Sequence, residues 1–246
     1  MRYTSRVTTI GLPVLGMLVF AATTFRAQNR SAIAEQIAKS YGLDSFGQIE
    51  GIRYTFNFNA DLGKVKVSRS WVWEPKIDQI SYEGKDKAGN PVKLTYRRSQ
   101  LSSQGAMVKD EIDPAFFNDQ YWLLFPLHLS WDSSTEVTET GKHKLPLGKG
   151  SASRVVVKYP SEGGYTPGDT WELFVGADNR IEEFIFHRGG SKKPTVIIAS
   201  WGDYKKAGPL LVSLDHRGTG DGSPLRVFFS DVSVKLVGSD TWMNAQ

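Results

Sequence analysis

"GIRYTFNFNADLGKVKVSRSWVWEP", residues 51 to 75, has a period of two. Ile52, Tyr54, Phe56 and Phe58 alternate with Arg53, Thr55, Asn57 and Asn59. Successive side chains of a strand point to opposite faces, so one face of this strand is aromatic and the other is wet. "DLGK" (61–64) reads as a turn. A second strand follows it, with Val65, Val67, Trp71 and Trp73 on one face. Further strands are expected at 77–83, 91–97, 134–139, 153–159, 169–176, 180–188, 194–201, 209–216 and 225–236. Many are separated by turn sequences: "KAGN", "GADN", "HRGGSKKP" and "RGTGDG". Short connections between neighbours imply antiparallel pairing. The expected fold is mainly β with some helix (α+β): a large curved antiparallel sheet of about eleven strands.

Two helices interrupt this pattern. "NRSAIAEQIAKSYG" (29–42) offers Ser31 as a cap, a face of Ile33, Ile37 and Ala38, and Gly42 as a stop; "LDSFGQI" continues as a turn or a short helical piece. The second helix lies in 110–127, inserted after the fourth strand. Asp113 before Pro114 reads as N-cap and first helical position, and Pro126 as the end. The stretch "FFNDQYWLLFPLHLSWD" (116–132) is aromatic on nearly every side, which demands cover on more than one face. A sheet with one aromatic face must close on itself or accept a helix or a ligand. This helix is the obvious cover.

The whole chain narrows the functional classes. Its 246 residues are 40% hydrophobic and 23% charged, as in an ordinary globular domain. The net charge of +4 is dispersed, and Arg97-Arg98, Lys192-Lys193 and Lys205-Lys206 are scattered, so no nucleic-acid partner is expected. There is no cysteine, which removes disulfides, thiol nucleophiles, cysteine-rich zinc sites and a lipid-modified cysteine anchor. Arg2 and Arg6 precede "IGLPVLGMLVFAA", an apolar run of signal-peptide length. Cleavage is expected after Ala21 or Ala27, with an uncleaved membrane anchor as the alternative. Residues 1–27 are set aside as a leader, and 28–246 form a single domain without repeats.

Chemistry finds little support. His128, His143, His187 and His216 show no metal-ligand spacing, and no HExxH, GxSxG, P-loop or dinucleotide fingerprint occurs. "WDSSTE" carries acids without a paired-carboxylate context. "SLDHRGTGDG" gathers Asp215, His216 and Asp221. That segment reads as a cation site, a general base or a polar hairpin turn. No catalytic residue, metal or cofactor is assigned.

Arg69 stands in phase with Val67 and Trp71 and so points to the apolar face. A guanidinium there needs a partner. Either a strand end or bulge near 68–70 turns it outward, or it reaches polar groups of the helical cover: Asn118, Asp119 or carbonyls near 116–120. The aromatics are equally two-sided. Trp71, Trp73, Trp122, Phe116 and Phe117 make either a packed core or a cavity wall.

At "GKVKVSRSWVW…DQISYEG", Gly63 to Gly84, the sequence resembles the periplasmic lipoprotein carriers LolA and their outer-membrane receptor relatives LolB. A glycine turn precedes an alternating strand, an arginine sits in phase with its apolar face, an aromatic follows, and a second strand leads to a glycine turn. The resemblance implies an unclosed barrel of about eleven antiparallel strands with helices as a lid. It gives Arg69 the role of bonding to the lid when closed, makes "DPAFFNDQYWLLFP" the lid helix, and matches "PLRVFFSDVSVK" to a late strand. Ser70 stands where the carriers usually have proline, and the chain has extra residues around 139–152 and 188–194.

The function expected is an exported, periplasmic carrier of a lipid, acyl chain or acylated protein, with a membrane delivery partner and no covalent reaction. Tyr54, Phe56, Phe58, Trp71, Trp73, Phe116, Phe117 and Trp122 are the candidate ligand-binding residues. Arg69, Asn118 and Asp119 are the candidate lid latch. The alternatives are an envelope interaction module with a solid core, and a hydrolase using the 215–221 loop.

Overall fold

A computed structural model describes residues 31–164, 166–190 and 195–246. The expected leader, 1–27, lies outside the described residues, as do Lys192-Lys193 and the start of the strand expected at 194.

One antiparallel sheet dominates. Its strands are β1 (Ile49–Ala60), β2 (Val65–Glu74), β3 (Gln79–Lys85), β4 (Pro91–Arg97), β5 (Glu136–Lys144), β6 (Ser151–Lys158), β7 (Thr170–Val175), β8 (Ile181–His187), β9 (Val196–Ser200), β10 (Gly202–Ala207), β11 (Leu210–Gly220), β12 (Ser223–Leu236) and β13 (Trp242–Asn244). The order across the sheet is β4-β3-β2-β1-β12-β11-β9-β8-β7-β6-β5, with β10 also on β11 and β13 on β12. β4 and β5 end this path, and no pairing joins them among the described residues, so the barrel is unclosed.

The eleven expected strands are present, and two more join them. The alternation rule passed over β10 because "GDYKKA" has no apolar alternation and Asp203 has a left-handed φ of 52°. It pairs because the chain bends at Trp201, so that β11 binds β10 along its first half and β9 along its last residues. β13 is three residues long, and Trp242 lies against Gly51, where a Cβ would meet its ring at 2.9 Å.

The "RGTG" part of the expected turn at 217–222 is strand. Gly218 is required there, because a Cβ would lie 1.8 Å from the carbonyl oxygen of Ile198 on β9. Gly218→Ala should therefore push β9 from β11. We expect a loss of about 1–3 kcal/mol, read as a lowered thermal midpoint.

α1 (Ala32–Ser40) buries Ala34, Ile37 and Ala38, and Gly42 follows it at φ 97°. Ser31 occupies the cap position but makes no side-chain cap bond. The 43–48 piece is a turn of 3-10 helix.

The second helix differs from expectation at both ends. A π turn (Val108–Ile112) runs directly into α2 (Asp113–Trp131), so Asp113 is no N-cap. The wide turn receives Pro114, which has no N–H to give an α-helical ladder. Pro126 does not end α2 either. The strain is taken up at Leu124 (φ −112°, ψ 15°), and the helix runs five residues further. It survives because every residue from 122 to 130 is buried. α1 packs on α2, and α2 in turn covers the concave, aromatic face of the sheet.

Candidate functional site

The register of β1 and β2 sets Phe56 opposite Arg69 and Tyr54 opposite Trp71 on the concave face. Arg69 crosses to α2. It donates from Nε to Oδ2 of Asp119 (2.7 Å) and from Nη2 to Oδ1 (2.5 Å). Trp71, two residues on along the same face, donates from Nε1 to Oδ2 (2.8 Å), and Asn118 donates from Nδ2 to Oδ1 (3.0 Å). The Asp119 side chain is fully buried, while Arg69 remains 22% exposed and lies over the Phe56 ring at 5.1 Å. Burial lifts the Asp119 carboxyl above its ordinary value, against the pull of Arg69, Asn118 and Trp71.

Two further carboxylates fasten the helix. Asp113, also buried, accepts from Tyr96 Oη (2.9 Å) and from Arg98 Nε (3.1 Å), and the Arg98 guanidinium sits 4.1 Å from the Phe117 ring centre. Just past the C-terminus, Asp132 accepts from Tyr121 Oη (2.5 Å) and Tyr159 Oη (3.0 Å) and pairs with His128 Nδ1 (3.2 Å). Burial works to raise the Asp132 carboxyl; the bonds from His128, Tyr121 and Tyr159 outweigh it and hold the carboxyl below its usual range.

Between helix and sheet lies a cleft of about 420 Å³. β1 and β2 contribute Phe56, Phe58, Val67 and Arg69; α2 contributes Phe117, Asn118, Tyr121 and Trp122. The far wall is Trp171, Phe186, Ile197 and Val227, and Asp169 and Arg188 add one charge of each sign. Burial raises the Asp169 carboxyl, although it accepts a 2.7 Å bond from the Gly189 N–H. The volume falls within the range of small-molecule sites, and an apolar lining with a few polar groups is their usual chemistry.

The structure thus divides the eight candidate binding aromatics. Phe56, Phe58, Phe117 and Trp122 line the cleft. The other four form a packed layer beside it: Trp71 on Tyr82 (4.6 Å) and Phe116 (5.5 Å), Trp73 on Phe116 (5.8 Å) and Phe46 (6.0 Å), and Tyr54 on Phe229 (6.0 Å). Of the three latch candidates, Asp119 meets Arg69 directly, whereas Asn118 bonds to Asp119. The far wall was missed. The alternation of Trp171, Leu173 and Val175, and of Phe184 and Phe186, marks an inward face, but nothing in it says that this face meets the cleft.

The 215–221 segment is not a loop gathering three groups. His216 is buried in β11 against Trp201 (4.2 Å). Asp215 is held by Arg217 (2.6 Å) and Arg226 (2.7 Å), and Asp221 accepts from the Val196 N–H (2.8 Å). Neighbouring strand residues face opposite ways, which is why adjacency in sequence did not become adjacency of side chains. Among the described residues no three His, Asp or Glu side chains stand together as metal ligands, and no helix is long and apolar enough to cross a membrane.

No protein-family model and no curated protein matches the sequence. Solved structures share the arrangement at a distance. A DUF1329 family protein from Desulfovibrio piger aligns over 85% of this chain and 94% of its own (8% identity, TM-score 0.46). A LolA superfamily protein from Nitrosomonas europaea aligns over 83% and 94% (9%, 0.46). A domain from Vibrio parahaemolyticus, described as an outer membrane lipoprotein-sorting protein, aligns over 85% and 92% (9%, 0.45). The likeness to the LolA superfamily is therefore a distant one of chain arrangement, and the functional reading below rests on this chain's own geometry.

Proposed function

We propose that this chain carries a hydrophobic ligand, an acyl chain free or borne by a lipid or protein, in the cleft beneath α2, with no cofactor and no covalent step. The observation that carries the reading is the Arg69–Asp119 pair, which fastens an all-round apolar helix across an apolar cleft. Entry of a chain is driven by burial, at ~0.8 kcal/mol per methylene. Phe117 and Trp122 line the cleft from the helix side, and their rings limit affinity by occupying the space when the ligand leaves. The apolar run at 10–22 in the sequence supports export, and with it a periplasmic carrier in the bacterial envelope. Delivery to a membrane partner suits the end of the sheet next to Phe58 and Val67, where the β1–β2 turn holds Leu62 with 85% of its surface exposed.

The test is native mass spectrometry of protein recovered from an exported preparation, then lipid analysis after denaturation. A stoichiometric acyl-containing adduct is expected. Arg69→Leu should raise deuterium uptake across Asp113–Trp131 and shorten ligand retention. If it changes neither, the latch is wrong. The packed layer of Trp71, Trp73 and Phe116 favours a second reading, an interaction module with a solid core, which requires no adduct and no ligand-dependent change in α2.

A further inference from the structure

Five polar atoms in the interior have no hydrogen-bond partner among the described residues: Tyr54 Oη, Trp171 Nε1, Trp201 Nε1 and both ring nitrogens of His216. All four residues are at most 3% exposed. They come from β1, β7, the bend between β9 and β10, and β11. Their rings are near one another or joined through single apolar rings. His216 lies 4.2 Å from Trp201, and Phe184 lies 5.4 Å from Trp171 and 5.5 Å from Trp201. Phe229 lies 6.1 Å from His216 and 6.0 Å from Tyr54.

What covers this group is the helix. Trp122 stands 5.1 Å from Trp171 and 6.3 Å from His216, and Phe125 stacks on Trp171 at 4.1 Å. Neither side-chain ring offers an acceptor to the donors beneath it. The carbonyls of Ser200 and Trp122 face His216 without reaching hydrogen-bond geometry. A core meant only to be filled would do better with phenylalanine at each position, since an orphaned buried N–H or O–H is destabilising. Trp122 and Trp171 also line the cleft, so cleft and orphaned group are contiguous.

The inventory is rich in donors. Two indoles donate only, tyrosine donates and accepts, and a neutral imidazole donates once and accepts once. Burial lowers His216 to about 4, which keeps it neutral. No cation belongs to the group; of the two cations lining the cleft, Arg69 is held by Asp119, and Arg188 acts on the Asp169 carboxyl. An anion would therefore enter uncompensated. An uncharged acceptor fits.

We propose that these residues form a polar subsite for an uncharged carbonyl, as in an esterified acyl chain, reached when Trp122 moves aside. This rests on the carrier reading and adds that the preferred ligand is an ester rather than a bare hydrocarbon or a free acid.

The experiment follows the indole N–H resonances of 15N-tryptophan-labelled protein, assigned with Trp171→Phe and Trp201→Phe, on adding methyl palmitate, palmitate or hexadecane. Methyl palmitate should shift both resonances downfield and hexadecane neither. Trp201→Phe should raise the thermal midpoint of the free protein yet weaken methyl palmitate roughly three- to tenfold, leaving hexadecane unchanged. Equal affinity and equal shifts for ester and hydrocarbon overturn the subsite while leaving the carrier reading intact. Tighter binding of palmitate than of its ester overturns it too, as do resonances already bonded to trapped water in the free protein. If no probe binds at all, the carrier reading fails and the subsite with it.

Discussion

Asp119→Leu should destabilise the protein by about 3–5 kcal/mol, because it leaves the Arg69 guanidinium against the apolar face without its carboxylate. For a domain of this length that is a fall of roughly 10 °C in the thermal midpoint. The loss is not the worth of the ion pair. Taking both charges out of water costs several kcal/mol, and the contacts with Arg69, Trp71 and Asn118 offset that cost. Arg69→Leu/Asp119→Leu should therefore recover most of the stability lost in Asp119→Leu. A double-mutant cycle in guanidinium should give an interaction term of at least ~2 kcal/mol. Arg69→Leu alone should cost less, because an orphaned Asp119, whose carboxyl is already lifted by burial, can take up a proton. Its deficit should shrink as the pH falls. Additive single changes would show that Arg69 and Asp119 are not energetically coupled. The double variant also separates fold from function: it restores stability without restoring the bond that holds α2, so α2 should stay rapidly exchanging.

Arg69 was legible because the physics is local. Alternation put a cation on an apolar face, and such a cation must find a partner. The choice of Asp119 over Asn118 was not legible, because it depends on which way each points from a helix whose start was misplaced. That misplacement has one cause. Asp-Pro reads as a helix start when a chain arrives from solvent, but here a π turn feeds α2, and Asp113 points inward to Tyr96 and Arg98. Pro126 misled for a similar reason. A proline ends an exposed helix, whereas burial on all sides holds this one together through the distortion at Leu124. The sheet was read from its period, which missed the three-residue β13 and "GDYKKA", where pairing with β11 overrides the local pattern. The cleft's far wall lies more than a hundred residues from Phe56 in sequence, and no local rule connects them.

Between pH 6.5 and 4 the protein should lose about 3 kcal/mol through His216 alone, and His216→Leu should abolish that loss. Burial lowers the ring from 6.5 to about 4, at ~1.4 kcal/mol per pKa unit. The sign follows from which state binds the proton. Below pH 6.5 the unfolded chain protonates His216 while the folded chain does not, so stability falls with pH until the folded ring also titrates. The rings packed around it, Trp122, Phe184, Trp201 and Phe229, carry no ionisable proton in this range, and the adjacent Asp215 is engaged by Arg217 and Arg226. Other groups overlay this term. Asp119 and Asp169, raised by burial, favour the folded state as they protonate; Asp132, Glu172 and Asp215, net lowered by their partners, favour it less as pH falls through the carboxylate range. The same groups act in wild type and variant, so the difference between the two denaturation profiles isolates His216. Profiles that diverge steadily from pH 6.5 downwards would establish a neutral imidazole sealed under Trp122. Parallel profiles would mean that the ring already shares its proton with something inside the barrel, and the orphaned donors around it would then be occupied rather than waiting for a ligand.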